Sequence, residues 1–129
     1  MGLEVGEQFE LRVTPDRYTT VRYAGASGDF NPIHIDEQFA LSVGLPGRIL
    51  HGLWSMAQVA RAATDAAGGD PLALTELSVQ FRGMGRLEQE IVVSGEVQAV
   101  SDARARVKLE ARQGDTRLVR NAQAELLLR

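Results

Sequence analysis

The residues best suited to chemistry lie in one short run, Ser27-Gly28-Asp29-Phe30-Asn31-Pro32-Ile33-His34-Ile35-Asp36. A carboxylate and an imidazole stand five positions apart there, with a proline between them. Pro32 fixes its own φ and biases Asn31 away from helix, so the span reads as a bent loop. Such a loop can turn Asp29 and His34 toward one point. Together those side chains can hold and polarise a water molecule at neutral pH. Each alone has a plainer use, Asp29 as a turn or capping residue and His34 as a packed side chain. Their spacing around Asn31-Pro32 favours the chemical use. A second signal follows in Arg48-Ile49-Leu50-His51-Gly52, which opens an almost wholly apolar helical stretch. A helix start offers backbone N–H groups with no partner inside the helix. His51 either caps and packs there or takes part in chemistry. Asp36 reads as a helix cap.

The elements that must position these residues follow from local pattern. Gln8 to Val13 reads as a first strand. Thr14-Pro15-Asp16 has the order of a helix start, with Thr as N-cap, Pro at the first helical position and Asp in the first turn. That helix is expected to reach about Ala24 and stop at Gly25 or Gly28. Asp36 then caps a short helix with Phe39, Ala40 and Val43 on its inner face and Gly44 at its end. From Gly52 to Ala67, apolar residues wrap most of the helix circumference, and only Ser55, Gln58, Arg61 and Asp65 form a polar stripe. A helix of this kind is expected to be buried on most sides. Gly68-Gly69-Asp70-Pro71 ends it.

Beyond that point the apolar period changes to two. Leu77, Val79 and Phe81 alternate with polar residues, as do Ile91, Val93 and Val97, and then Ala105, Val107, Leu109 and Ala111. A final strand runs from Leu118 to Leu128, with Ala122, Ala124, Leu126 and Leu128 on one side and a hairpin turn at Gly114-Asp115. Four consecutive strands with short turns predict an antiparallel sheet. The expected architecture is α+β: a curved antiparallel sheet wrapped around one long central helix.

Composition excludes several classes. The chain has 129 residues, the size of a single domain spanning 1–129, large enough to bury a core without staples. It has no cysteine, so disulfide and thiolate chemistry are excluded. Two histidines without clustered ligands do not suggest a structural zinc site, so no metal is expected. A net charge of −3 argues against nucleic acid as a partner. The first seven residues lack the basic and apolar regions of a signal peptide, and no apolar run approaches membrane-spanning length. The expectation is a cytoplasmic protein with no membrane association.

The same residues carry a resemblance. Ser27 to His34, together with Gly47-Arg48-Ile49-Leu50-His51-Gly52, the opening Val5-Gly6, Tyr23-Ala24-Gly25 and the order of elements, resembles the MaoC-like dehydratases. That family has the hot dog fold and includes the R-specific enoyl-CoA hydratases. The resemblance covers nearly the whole chain. It implies that Asp29 and His34 are the catalytic pair and that Asn31 is a supporting polar residue. It also implies that the backbone N–H of Gly52 is the oxyanion donor. The implied reaction is reversible hydration of a trans-2-enoyl thioester to an (R)-3-hydroxyacyl thioester, carried on CoA or an acyl carrier protein. No cofactor is implied, and the implied assembly is a homodimer or larger even oligomer.

Two departures from the family pattern stand out. Some hydratases have a serine eight residues beyond the glycine, where this chain has Ala60. The family's Pro-Val and Gly-Asp signature is replaced by Phe81-Arg82-Gly83-Met84-Gly85-Arg86-Leu87-Glu88. Arg48, Arg82 and Arg86 either meet carrier phosphates or are solvated surface. Two other readings compete. A hot dog thioesterase would need a carboxylate on the central helix, where Asp65 stands at the wrong end. An acyl-binding subunit of a heteromeric dehydratase would be expected to lack Asp29 or His34.

Overall fold

A computed structural model describes residues 2–128. Strand β1 (Gln8–Val13) is followed by helices α1 (Thr19–Ser27), α2 (Pro32–Ile35), α3 (Glu37–Ser42) and α4 (Gly52–Ala66). A single 3-10 turn (Pro71–Ala73) then leads into β2 (Leu74–Phe81), β3 (Ile91–Ser101), β4 (Arg104–Gln113) and β5 (Thr116–Leu127). The strands form one antiparallel sheet in the order β1-β3-β4-β5-β2, and α4 packs on its inner face. This is the hot dog arrangement.

The sheet is a meander only from β3 to β5. β2 does not pair with β3, as consecutive short-turn strands would. It pairs with β5 at the far edge, and residues 82–90 carry the chain back across to β3. The hairpin between β3 and β4 turns at Asp102-Ala103, where both residues have positive φ (52° and 61°). That is the geometry of a two-residue hairpin whose backbone matches strand twist.

The period-two pattern sets the core. Ile91, Val93 and Val97 of β3, and Ala105, Val107, Leu109 and Ala111 of β4, are buried against α4. In β5 the alternation holds through Leu126, Ala124 and Ala122, then breaks. Leu109 pairs with Ala122 but Ala111 pairs with Val119, so Arg120 and Asn121 together face Glu110. This β-bulge, with Asn121 at φ 51°, shifts the phase so that Val119 faces inward instead of Arg120.

Several local expectations are corrected. Thr14-Pro15-Asp16 does not begin a helix. The first helix starts at Thr19, and Asp16 prepares it by accepting hydrogen bonds from the N–H of Tyr18 (2.8 Å) and from Arg22 Nη2 (3.0 Å). Its end falls on Gly28, the second of the two stops foreseen. In α3, Asp36 accepts from the N–H of Phe39 as foreseen, but only Ala40 is buried; Phe39 and Val43 are exposed. Helix α4 is covered on one face only, the face of Ser55, Val59, Ala62 and Ala63, while Leu53 is 60% exposed. A five-stranded sheet can cover one side of a helix, and within a single chain the other side stays open. Ser55, assigned to the polar stripe, lies on the covered side.

Candidate active site

The bent loop expected around Pro32 is one turn of helix. Pro32 occupies its first position, where a missing N–H costs nothing. Asn31 stays extended at φ −54° and ψ 126°, and its side chain accepts from the N–H of Ile33 at 3.2 Å. Asn31 is therefore the N-cap of the helix that carries His34. Just before it, Ser27 Oγ accepts from the N–H of Asp29 at 3.1 Å, and Asp29 Oδ1 accepts from the N–H of Asn31 at 3.2 Å. This chain of short-range bonds fixes the Asp29 carboxylate relative to α2.

Asp29 and His34 do come together. Asp29 Oδ2 lies 3.9 Å from His34 Nε2. The Asp29 side chain is half exposed, whereas His34 is buried. His34 Nδ1 lies 2.8 Å from the carbonyl oxygen of Ile49. A carbonyl only accepts, so Nδ1 carries the proton, and in the neutral ring Nε2 keeps its lone pair toward Asp29. The pair thus presents two acceptors spaced so that one water molecule can touch both.

The start of α4 is held next to this pair by backbone contacts. Ile49 donates its N–H to the carbonyl of Ile33 at 3.2 Å, and Leu50 donates to the carbonyl of Gly85 at 2.9 Å. A Cβ on Gly85 would stand 2.7 Å from Leu50 Cδ1, so glycine is what permits this approach. The segment that departs from the family signature therefore docks the helix start. Gln113, at the end of β4, staples it further: its side chain accepts from the N–H of Arg86 and donates to the carbonyls of Arg86 and Gln89.

Gly52 is the first residue of α4. No bond from its N–H is found among the described residues, as expected at a helix start. A Cβ there would meet the Phe81 ring at 3.3 Å. His51 precedes it with extended backbone and no capping bond from its side chain. Instead its Nε2 lies 3.0 Å from the carbonyl oxygen of Asp29. Its ring stacks on that of His34, with centroids 3.8 Å apart and planes inclined by 22°, and the Tyr23 ring packs against it at a tilt, with centroids 4.8 Å apart. The carbonyl of Ile49 and the bridging role of His51 were not foreseen from the sequence.

One ligand atom from each of Asp29, His34 and His51 falls within a 4.8 Å cluster. Imidazole binds a metal in the plane of its ring, and two stacked rings aim their lone pairs side by side, not at one point. The trio is poorly shaped for a cation. Asp65 lies at the opposite end of α4 from Gly52, exposed and facing Arg61 at 4.0 Å. Arg48 is committed within the chain, to the carbonyl of Arg17 (3.0 Å) and to Glu37 (3.7 Å). Arg82 is exposed and Arg86 half-buried. No helix among the described residues is long and apolar enough to cross a membrane.

Known proteins share the sequence pattern and the fold. The profile of the MaoC like domain matches residues 3–118. The chain is 35% identical over 95 residues to the fatty acid synthase beta subunit TOXC of Cochliobolus carbonum, covering 73% of this chain but 5% of that protein. It is 29% identical over 107 residues to the 3-hydroxybutyryl-CoA dehydratase of Methylorubrum extorquens, covering 83% and 68% of the two chains. The unliganded R-hydratase PhaJ1 of Pseudomonas aeruginosa superposes with a TM-score of 0.85 at 25% identity, covering 98% of this chain and 82% of that one.

Proposed function

The chain belongs to the MaoC-like domain family, and from that membership and the geometry around Asp29 and His34 we propose that it reversibly hydrates trans-2-enoyl thioesters. The product is the (R)-3-hydroxyacyl thioester, its hand taken from the similarity to the R-hydratase. The observation that carries the reading is the 3.9 Å separation of Asp29 Oδ2 and His34 Nε2 beside an unpaired helix start.

Hydration needs a water to lose a proton as its oxygen bonds to C3, a proton to reach C2, and stabilisation of the charge that builds on the thioester oxygen. Asp29 and His34 share the water, take its proton and return one to C2. The N–H of Gly52 donates to the thioester oxygen, aided by the partial positive charge of the α4 start. Dehydration uses the same groups in reverse. Electrons are not transferred, so no redox cofactor enters. Asn31 supports the pair by capping α2. Phe30 beside Asp29, and Leu53 beside Gly52, are exposed and apolar, suited to cover an acyl chain.

The proposal extends to assembly and place. Both sheet edges are open and one side of α4 is bare, which suits a homodimer or larger even oligomer. A cysteine-free chain needs no oxidising compartment, and a cytoplasmic setting suffices. The test is hydration of crotonyl-CoA, followed as loss of the enoyl absorbance. Loss of absorbance is expected. Silence with crotonyl-CoA, with longer acyl-CoAs and with acyl-carrier-protein thioesters would overturn the reading.

A further inference from the structure

His51 is 2% exposed, yet its Nδ1 has no hydrogen-bond partner among the described residues. An unpartnered buried polar atom costs free energy, and a residue needed only for packing would fill the same space without it. The explanation for an imidazole must lie in its other atoms. Nε2 faces the carbonyl of Asp29 at 3.0 Å, and that oxygen only accepts, so Nε2 carries the proton, and in the neutral ring Nδ1 is left with the lone pair. The ring face lies against His34 at 3.8 Å. The backbone of His51 runs directly into Gly52, and its carbonyl accepts the first bonds of α4, from Trp54 and Ser55. One residue therefore touches all three parts of the site: the Asp29 loop, the His34 ring and the helix start.

We propose that His51 is a positioning residue, which sets the Asp29 loop and the His34 ring at a fixed distance from the N–H of Gly52. This rests on the hydratase reading for its catalytic consequence. The bond from Nε2 pins the backbone from which the Asp29 carboxylate projects. The stacked face prevents the His34 ring from tilting about its single anchor at Ile49. With both in place, one rigid side chain links the water-activating pair to the oxyanion donor, beside the backbone contacts of Ile49 and Leu50.

Two substitutions separate the contributions. His51→Phe keeps a flat ring against His34 and removes the donor to Asp29. His51→Gln keeps an amide N–H that reaches the position of Nε2 and removes the ring. We expect His51→Phe to lower kcat by about 10-fold or more, on the scale of a small misplacement of reacting groups, with KM nearly unchanged and the melting temperature held. His51→Gln should recover part of kcat through the restored bond. Because the bond acts through Asp29, His51→Phe should cost little more in an Asp29→Asn background. Wild-type kcat in folded His51→Phe, or a full multiplicative loss in the Asp29→Asn background, overturns the proposal. If His51→Phe does not fold, His51→Gln decides: kcat equal to that of an unrelated destabilised variant, with no trace of rescue, counts against it. A second readout does not depend on turnover. The Asn31 amide resonance reports its bond to Asp29, and ring ¹⁵N shifts report the His34 tautomer. The Asn31 resonance should move in His51→Phe and be kept in His51→Gln, whereas the His34 ring shifts should move in His51→Gln, which lacks the stacked face. If the wild type hydrates no enoyl thioester, the hydratase reading fails, whereas an unchanged Asn31 resonance in His51→Phe overturns the positioning role itself.

Discussion

Asp29 and His34 divide their task through unequal surroundings. His34 is buried, with Nδ1 committed to the Ile49 carbonyl, while Asp29 is half exposed and held by bonds from its own neighbours. Removing either should leave the fold intact, because neither packs in the apolar core between α4 and the sheet. Asp29→Asn or His34→Ala is expected to lower hydration by about 10²-fold or more, the scale of general acid–base groups. Turnover near wild type in folded Asp29→Asn would remove the pair from the mechanism. Gly52 is a different case, since its backbone acts and its lack of a side chain makes room. An added Cβ would touch only the Phe81 ring, itself half exposed and able to shift. Gly52→Val should therefore cost little stability but reduce turnover strongly, approaching the roughly 2.7–4 kcal/mol of a lost oxyanion donor. Melting temperature and activity per folded molecule check this together. An unstable variant that stays fully active per folded molecule would make Gly52 a packing residue only.

The elements show how a one-turn helix can serve a site. Four residues are too few to be stable alone, and α2 exists because Asn31 caps it, Pro32 begins it and Ile33 accepts from Ile49. The start of α4 depends in turn on residues 82–90, which hydrogen-bond to Leu50 and are stapled by Gln113. Gln113 is buried and makes three side-chain bonds to backbone there. Gln113→Leu would leave the N–H of Arg86 and two carbonyls without those partners. A loss of about 2 kcal/mol or more is expected, seen as a melting temperature lower by roughly 6–10 °C. Turnover per folded molecule should also fall, because Gly85 is in the stapled segment. A variant as stable as the wild type would mean that the segment is held by other contacts.

The whole molecule is an incomplete layer structure. The sheet covers one side of α4, and strands β1 and β2 leave both edges unpaired. Leu53, Phe81 and Met84 remain exposed near the open side or edge. Proteins normally cover such surfaces. Pairing with a second copy would do so, and light scattering should return a dimer or larger even species. A stable monomer at micromolar concentration would contradict this.

Local pattern alone placed β1 at its observed residues and α4 within one residue of its end, since strand and helix periods depend on nearest neighbours. It also picked out Asp36 as a cap and the Asp29–His34 pair, because both rest on side chains a few positions apart. The helix expected at Thr14 begins instead at Thr19, because Asp16 turns the chain there by accepting from the N–H of Tyr18. Tertiary structure alone decided that β2 pairs with β5, that a bulge turns Val119 inward, and that α4 is covered on one side, with Ser55 beneath. It also decided what holds the site, the carbonyl of Ile49 on His34 and that of Asp29 on His51. Every residue carries the same carbonyl, so nothing in the side-chain sequence marks which one will accept a hydrogen bond. Only the path of the folded chain brings it there.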